Sequence, residues 1–295
     1  MNDLSSSYGQ LFQLKLSNFN QHRLLPSHVE DNWSAKLKLE TAHLIDEGEF
    51  VENQRQLVQP YLTDLPKSPI AFMQWFELLK KTGPGQGDSL FPWLAELANM
   101  DQMCWFLSQE AAGEAGFDDL VAMTQVRLPI QAKLEMAHNY WDEMGRGHER
   151  GMHGPMLATV VQELKLTPNI ASTVWQSLAL ANLMLAMAVN RRYTYQSIGA
   201  LGAIEMTAPT RVGFVNDGLK RLNVTLNARK YFQLHATLDI AHSKAWNDEV
   251  IYSIVKETPT AMKPIAEGAL MRLMCGQRCF DQYRAHFGFN TNIVH

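Results

Sequence analysis

The chain is predicted to be all-α, and three observations carry that prediction. Apolar residues recur at spacings of three and four, as in Phe12, Leu16 and Phe19 and again in Val160, Val161 and Leu164, the period of a helix burying one face. Alternating runs rich in Val, Ile and Thr are scarce, and no turn dipeptide stands between two such runs, so hairpins are not expected. Prolines and a Gly-Pro-Gly cluster fall between the periodic stretches, where they punctuate helices.

Taken in order, the breakers divide the chain as follows. Pro26 follows the stripe of Phe12, Leu16 and Phe19; Pro60, Pro66 and Pro69 interrupt the next helical stretch. The clearest boundary is KKTGPGQGDS at 80–89, after which small and apolar residues become denser. We therefore expect residues 1–85 to form an accessory N-terminal helical layer and 86–295 the functional bundle, a division that one continuous domain would also accommodate. Pro129 precedes a run of helices over residues 131–257, which Pro168 and Pro209 punctuate. Within it, Leu178 to Val189 is the most apolar stretch. It is too short to span a bilayer and contains Asn182, so it reads as a buried helix. Beyond Pro259 and Pro264, Cys275 and Cys279 sit four apart on a last helix, as half-buried thiols rather than metal ligands.

Composition excludes several functions. At 295 residues and 46% hydrophobic, the chain can bury a large core. Twenty-six Lys and Arg against thirty Asp and Glu make it mildly acidic, with no basic run for nucleic acid. No charged segment precedes an apolar one at the N-terminus, and three cysteines make no disulfide framework. A cytoplasmic protein, free of membrane and nucleic acid, is expected.

Chemistry enters with YFQLHATLDIAHSKAW, which sets His235, Asp239 and His242 in the pattern H-x3-D-x2-H. On a helix these three fall within about 60° of arc. Tyr231, Leu238 and Trp246 share that arc, so the face points into the core. Two imidazoles and a carboxylate on a buried stripe need a partner, because unpaired buried polar groups cost several kcal/mol. A metal satisfies all three at once. Each residue alone reads better as a satisfied core histidine or a surface acid; it is the three together that point to a metal.

Further donors must come from facing helices. Glu205 continues the stripe Thr194, Ile198, Leu201, beside Gly199, Gly202 and Ala203, which allow close helix approach. Glu143 continues a stripe of Met136 and Tyr140, and His153 heads Met156, Leu157, Val160 and Val161. Glu143 and His153 are ten residues apart, close to three helical turns, although Gly145, Gly147 and Gly151 between them disfavour a regular helix. Three carboxylates with three histidines suit iron or manganese better than zinc. Six ligands exceed what one open catalytic metal needs and suffice for two bridged by a carboxylate.

With these residues in view, the chain resembles the haem-oxygenase-like diiron oxidases and oxygenases, or iron-containing redox enzymes. The resemblance rests on Glu143 to His153 within WDEMGRGHERGMHG, on Glu205 thirty residues before His235, and on the H-x3-D-x2-H triad. These anchors cover residues 143–242, with similar texture over about 100–257. The resemblance implies a haem-oxygenase-like helical bundle, here with the N-terminal layer added. It implies a labile centre of two iron ions (Fe2+) that uses dioxygen as co-substrate, and it carries Glu143, His153, Glu205, His235, Asp239 and His242 over as ligands. Members that oxygenate nitrogen use an additional carboxylate. Glu110, grouped with Phe106 and Phe117, is its candidate here, with Glu114 and Asp118 as substitutes. The nearby Glu135 and His138 form an E-x-x-H that we assign to an exposed helix face.

The expected activity is oxidation of a small amine- or carboxylate-bearing metabolite in specialised metabolism, by N-oxygenation or oxidative cleavage. Tyr140, Tyr195, Tyr231 and Trp246 are expected to line the pocket, with Arg211 or Arg191 available for a carboxylate. An external electron donor and a homodimer are the expected partners beyond the substrate. Two other readings stay open: a cofactor-independent thiaminase-like or quinone-synthase-like relative acting through Cys104 or an acid, and a non-catalytic iron-binding helical protein.

Overall fold

In the computed structural model the described residues are 3–26, 32–113 and 116–289, without the side chains of 3–8 and 237–240. The helices in order are α1 (Asp3–Leu24), α2 (Trp33–Val58), α3 (Pro69–Thr82), α4 (Leu90–Glu96), α5 (Met100–Ala112), α6 (Phe117–Thr124), α7 (Ile130–Glu143), α8 (His153–Glu163), α9 (Trp175–Val189), α10 (Thr194–Arg221), α11 (Leu226–Ala245), α12 (Tyr252–Glu257) and α13 (Met262–Phe287). A π-helical turn over Trp246–Ile251 joins α11 to α12. Among the described residues there is no strand, only an isolated bridge between Met144 and Met152. The protein is an all-α bundle, and no described helix is long and apolar enough to cross a membrane.

Local chemistry explains several helix ends. Ser68 accepts from the Ala71 amide ahead of Pro69, and Asn99 and Gln102 form a reciprocal capping box at the start of α5. Thr225 caps α11 by accepting from the Ala228 amide. Gly288, at φ 82°, closes α13 in the left-handed region.

The centre of the bundle is α10, packed against α11, α13, α4 and α9. Its crossing with α13 is a contact of backbones. A Cβ on Gly199 would lie 1.9 Å from the Ile265 carbonyl oxygen, and one on Gly268 would lie 1.8 Å from that of Gln196. Only glycine permits that approach. Helix α9 is apolar on nearly every side and buried from Leu178 to Ala188 with short interruptions, as its composition predicts.

Helices α1 and α2 lie against α9 and α13 through buried polar links. Asn182 of α9 donates to the Gln13 side chain at 2.8 Å and accepts from Asn20 at 2.9 Å. Glu267 of α13 accepts from Arg55, Gln59 and Gln196 at 2.9 to 3.0 Å. Burial alone would raise the Glu267 carboxyl, but these donors more than offset it and hold it below its ordinary range.

One sequence expectation needs correction. Pro209 does not divide two helices; α10 runs through it to Arg221. An interior proline costs about 3 kcal/mol. Burial on both sides of it, from Ile198 to Thr207 and again at Val215 and Leu219, outweighs that loss.

Two glycines in this region should respond oppositely to alanine. Gly268→Ala should lower unfolding free energy by about 3 kcal/mol or more, because a backbone carbonyl cannot yield as a side chain can. Gly213→Ala, with nothing within 4 Å of its added Cβ, should raise it by up to about 1 kcal/mol. Urea unfolding of both variants checks the pair.

Candidate metal centre

Helices α7, α8, α10 and α11 bring five of the expected ligands into one buried region. Glu143 ends α7 and His153 opens α8. Glu205 comes from α10, and His235 and His242 from α11. Asp239 lies outside the described side chains. Glu143, His153, Glu205 and His242 are 2% to 7% exposed, which leaves water little access to satisfy them.

Glu143 and His153 meet through a chain reversal, not along one helix. After Glu143 the backbone makes two short turns, 145–147 and 149–151, and the Met144–Met152 bridge closes them. Gly145 has φ +60°, and a Cβ there would lie 2.4 Å from the Gly151 carbonyl carbon. The glycines that disfavour a helix thus build the hairpin that sets the two donors against each other.

One donor atom each from Glu143, His153 and His235 lie within 4.8 Å of one another. His153 Nδ1 touches a Glu143 carboxylate oxygen without a hydrogen bond, and neither of its ring nitrogens has a hydrogen-bond partner. His235 Nδ1 donates to the Tyr231 carbonyl at 2.7 Å. A carbonyl only accepts, so that nitrogen carries the proton and Nε2 keeps its lone pair.

Beside this group stands a second. His242 Nε2 donates to Asp142 at 3.1 Å, and its Nδ1, without a hydrogen bond, lies 3.8 Å from Glu205. That separation is long for a hydrogen bond. Glu205 is itself held by the Asn139 amide at 2.7 Å. Both histidines therefore follow the pattern of metal-ligating imidazoles, one nitrogen tied to an oxygen acceptor and the other left as a donor pair.

The electrostatics agree with this reading. Burial pushes Glu143 up to about 8, opposed by His242 and reinforced by Asp118 and Asp142. Burial pushes His153 down to about 4, against Asp118 and Asp142. It also takes His235 down to about 4, with His153 and His242 adding and the bond to Tyr231 opposing. Neutral imidazoles at physiological pH are metal donors, and a carboxylate that burial leaves uncompensated gains from a nearby cation. Burial would raise Asp142 too, but bonds from Arg146 and His242 hold it below its ordinary range. The orphaned ring nitrogens and the carboxylates fit a divalent iron centre.

A cavity of about 220 Å³ opens from Glu143, Glu205 and His235, with lining that is mostly apolar. Of the expected pocket residues, Tyr231 and Arg211 line it, but Tyr140, Tyr195 and Trp246 are not among its lining residues. Trp246 is 1% exposed and donates to the Ile198 carbonyl at 3.2 Å, so its face is spent on packing. Tyr140 and Tyr195 pack against the main core. Arg191 instead donates to the Thr124 carbonyl at 3.1 Å and to that of Val126. Glu135 and His138 pair loosely with each other at 3.7 Å, with His138 exposed.

Glu110 lines the cavity apart from the histidines, where it accepts from Tyr283 at 2.8 Å. The side-chain charges acting on it are Arg272 and Arg211. Phe117 is not on its helix, since α5 ends at Ala112. Glu114 lies outside the described residues. Asn139 and Asp142 escaped the sequence reading, and Asp118, expected only as a substitute for Glu110, acts instead on Glu143 and His153. Asn139 was within reach of it, for Ala132, Met136, Asn139 and Glu143 form the true buried stripe of α7.

A family model described as iron-containing redox enzyme matches residues 104–277, more than half of the chain. Among solved structures, a CADD-like protein of unknown function from Nostoc punctiforme superposes with a TM-score of 0.52 at 16% identity. The superposition covers 82% of this chain and 98% of that one, a likeness of fold. No curated protein matches the sequence.

The shifts define a pH profile for the metal-free protein. Glu143 is raised above its ordinary 4.5, so its contribution is present at low pH and lost as pH rises through about 8. His153 and His235 lie below 6.5, so theirs is present above 6.5 and lost as pH falls through about 4. Denaturant unfolding should show stability declining from pH 6.5 to pH 8, and Glu143→Gln should lessen that decline, leaving what other raised carboxyls, Glu110 and Glu47 among them, contribute. An unchanged decline in the variant would assign it to another group.

Proposed function

The chain belongs to the iron-containing redox enzyme family, and on that premise we propose that it is a dioxygen-dependent diiron enzyme oxidising a small amine- or carboxylate-bearing metabolite. The observation that carries the reading is the set of buried nitrogen donors without hydrogen-bond partners beside two carboxylates and an apolar cavity. Glu143, His153 and His235 would hold one ion. Glu205 and His242 would hold the second, with Asp239 completing the set as the family resemblance implies.

Iron(II) bound there supplies the electrons that reduce dioxygen, chemistry outside the reach of side chains alone. The chain's own residues do the rest. The Tyr231 carbonyl and Asp142 orient His235 and His242 from behind, so neither ring must reorganise to bind. Glu143 gives up on metal binding the proton that burial makes it hold. Leu157, Val160, Met184 and Ile204 line the cavity and exclude water from the reacting region. An external electron donor would serve reactions in which the substrate does not supply both electrons.

No observation favours the cofactor-independent alternative. Cys104 is not among the residues lining the cavity, and burial together with Asp101 pushes its thiol up, away from the nucleophilic thiolate.

Metal-free protein titrated with iron(II) under anaerobic conditions should take up about two ions per chain. His235→Ala or His242→Ala should remove most of that uptake while the melting temperature of the metal-free protein holds, since each truncation removes a donor and little apolar packing. Metal analysis and thermal unfolding read the two effects. A variant that kept two tightly bound irons and full dioxygen consumption would overturn the assignment.

A further inference from the structure

The cavity carries a second polar lining that the metal centre does not use. Arg211 of α10, Glu110 of α5, and Arg272 and Tyr283 of α13 meet there, with Ser177 of α9 behind. Tyr283 donates to Glu110 at 2.8 Å and lies 2.7 Å from Ser177 Oγ, which therefore donates to Tyr283. Arg211 donates to Thr207 and lies over the Phe280 ring at 5.2 Å from its centroid. Nε of Arg211 and both Nε and Nη1 of Arg272 are buried without a hydrogen-bond partner. The two arginines are close enough for each to repel the other, and Asp88, the other acid that Arg211 feels, is paired with Arg284.

The charge count is uneven. Two guanidiniums face one carboxylate, and that carboxylate already accepts from a tyrosine. Even with Glu110 fully ionised the group holds one uncompensated positive charge, and buried unsatisfied donors cost about 1–3 kcal/mol each, more when charged. Apart from Asp88 and Cys279, the charges acting on Glu110 and Arg211 belong to this group. Those acting on Glu143, His153 and His235 belong to Asp118, Asp142, His242 and each other. The cavity therefore has two polar regions of opposite need, with an apolar wall of Phe106, Leu157, Val160 and Val212 in its lining.

We propose that Arg211 and Arg272 anchor the carboxylate of a monoanionic substrate with an apolar body, and that the body extends from them toward the metal centre. Guanidinium forks match a carboxylate in shape, and the orphaned Nε and Nη1 atoms offer it donors already in place. A zwitterionic amino acid matches the count poorly, since its ammonium would restore the excess positive charge. The orientation rests on the diiron reading above; the anion anchor does not. On that reading, oxidation falls on the part of the molecule remote from its carboxylate.

Calorimetry on metal-free protein separates the two. Octanoate should bind at least about tenfold more tightly than octanol or 2-aminooctanoate. Arg272→Met should cost octanoate about tenfold or more while leaving the melting temperature unchanged or higher, because it removes an uncompensated buried charge. If that variant does not fold, Arg272→Lys keeps the charge and loses the fork, and should weaken octanoate likewise. Equal binding of octanol, tighter binding of octyl phosphate, or full octanoate affinity in the arginine variants would overturn the anchor whether or not the protein binds iron. With manganese(II) added in place of iron, the octanoate methyl protons should relax faster than those beside the carboxylate. The reverse order would place the carboxylate on the metal and overturn the orientation.

Discussion

The site depends on how closely α10 crosses α13. At Gly199 and Gly268 the two backbones touch, each glycine against a carbonyl of the other helix. That contact sets the height of α10 in the bundle. Helix α10 carries Glu205 and Arg211, and α13 carries Arg272 and Tyr283, so one crossing positions both polar regions of the cavity. It also explains why Pro209 can sit inside α10. A helix clamped on both sides keeps its direction across one missing hydrogen bond.

Buried ionisable groups in this protein fall into two kinds. Away from the cavity they are paired: Glu267 with Arg55, Arg284 with Asp88, Glu47 with Arg23. Around the cavity the pairing is incomplete: among the described residues Arg211 and Arg272 make no ion pair, and both ring nitrogens of His153 and the Nδ1 of His242 keep no hydrogen bond. Buried charge without a counter-charge weakens a fold unless something else meets it. Arg23 and Arg284 also keep a buried Nε without a hydrogen bond, but each has a carboxylate partner, so what sets Arg211 and Arg272 apart is the missing counter-charge. Nitrogens with free lone pairs ask for a cation; guanidiniums with free protons ask for an anion.

The path from Glu143 to His153 shows how local and tertiary physics divide the work. Glycines at 145, 147 and 151 disfavour a regular helix by propensity alone. That the resulting turn folds back, so that the last residue of α7 faces the first of α8, required the approach of Gly145 to Gly151. Spacing along one helix suggested the same pair for a different reason.

Much of the architecture was legible in the residues. Helical period and proline placement define an all-α chain, the apolar run from Leu178 to Val189 a buried helix, and the H-x3-D-x2-H pattern the inward face of α11 on which His242 is buried. Donors falling on apolar stripes, Glu143, His153 and Glu205, could be singled out because a charge on a core face is anomalous wherever it occurs. What stayed illegible was which distant residues would complete each group. Asn139 and Asp142 look like ordinary helix polar residues until α10 and α11 bring Glu205 and His242 to them. Arg272 reads as a surface cation until α5 and α10 enclose it with Glu110 and Arg211. Trp246, Tyr140 and Tyr195 share faces with the donors yet turn to packing. Periodicity reports which side of a helix is buried, a property of one element. Which atoms meet there depends on the crossing of several, and only the tertiary structure decides it.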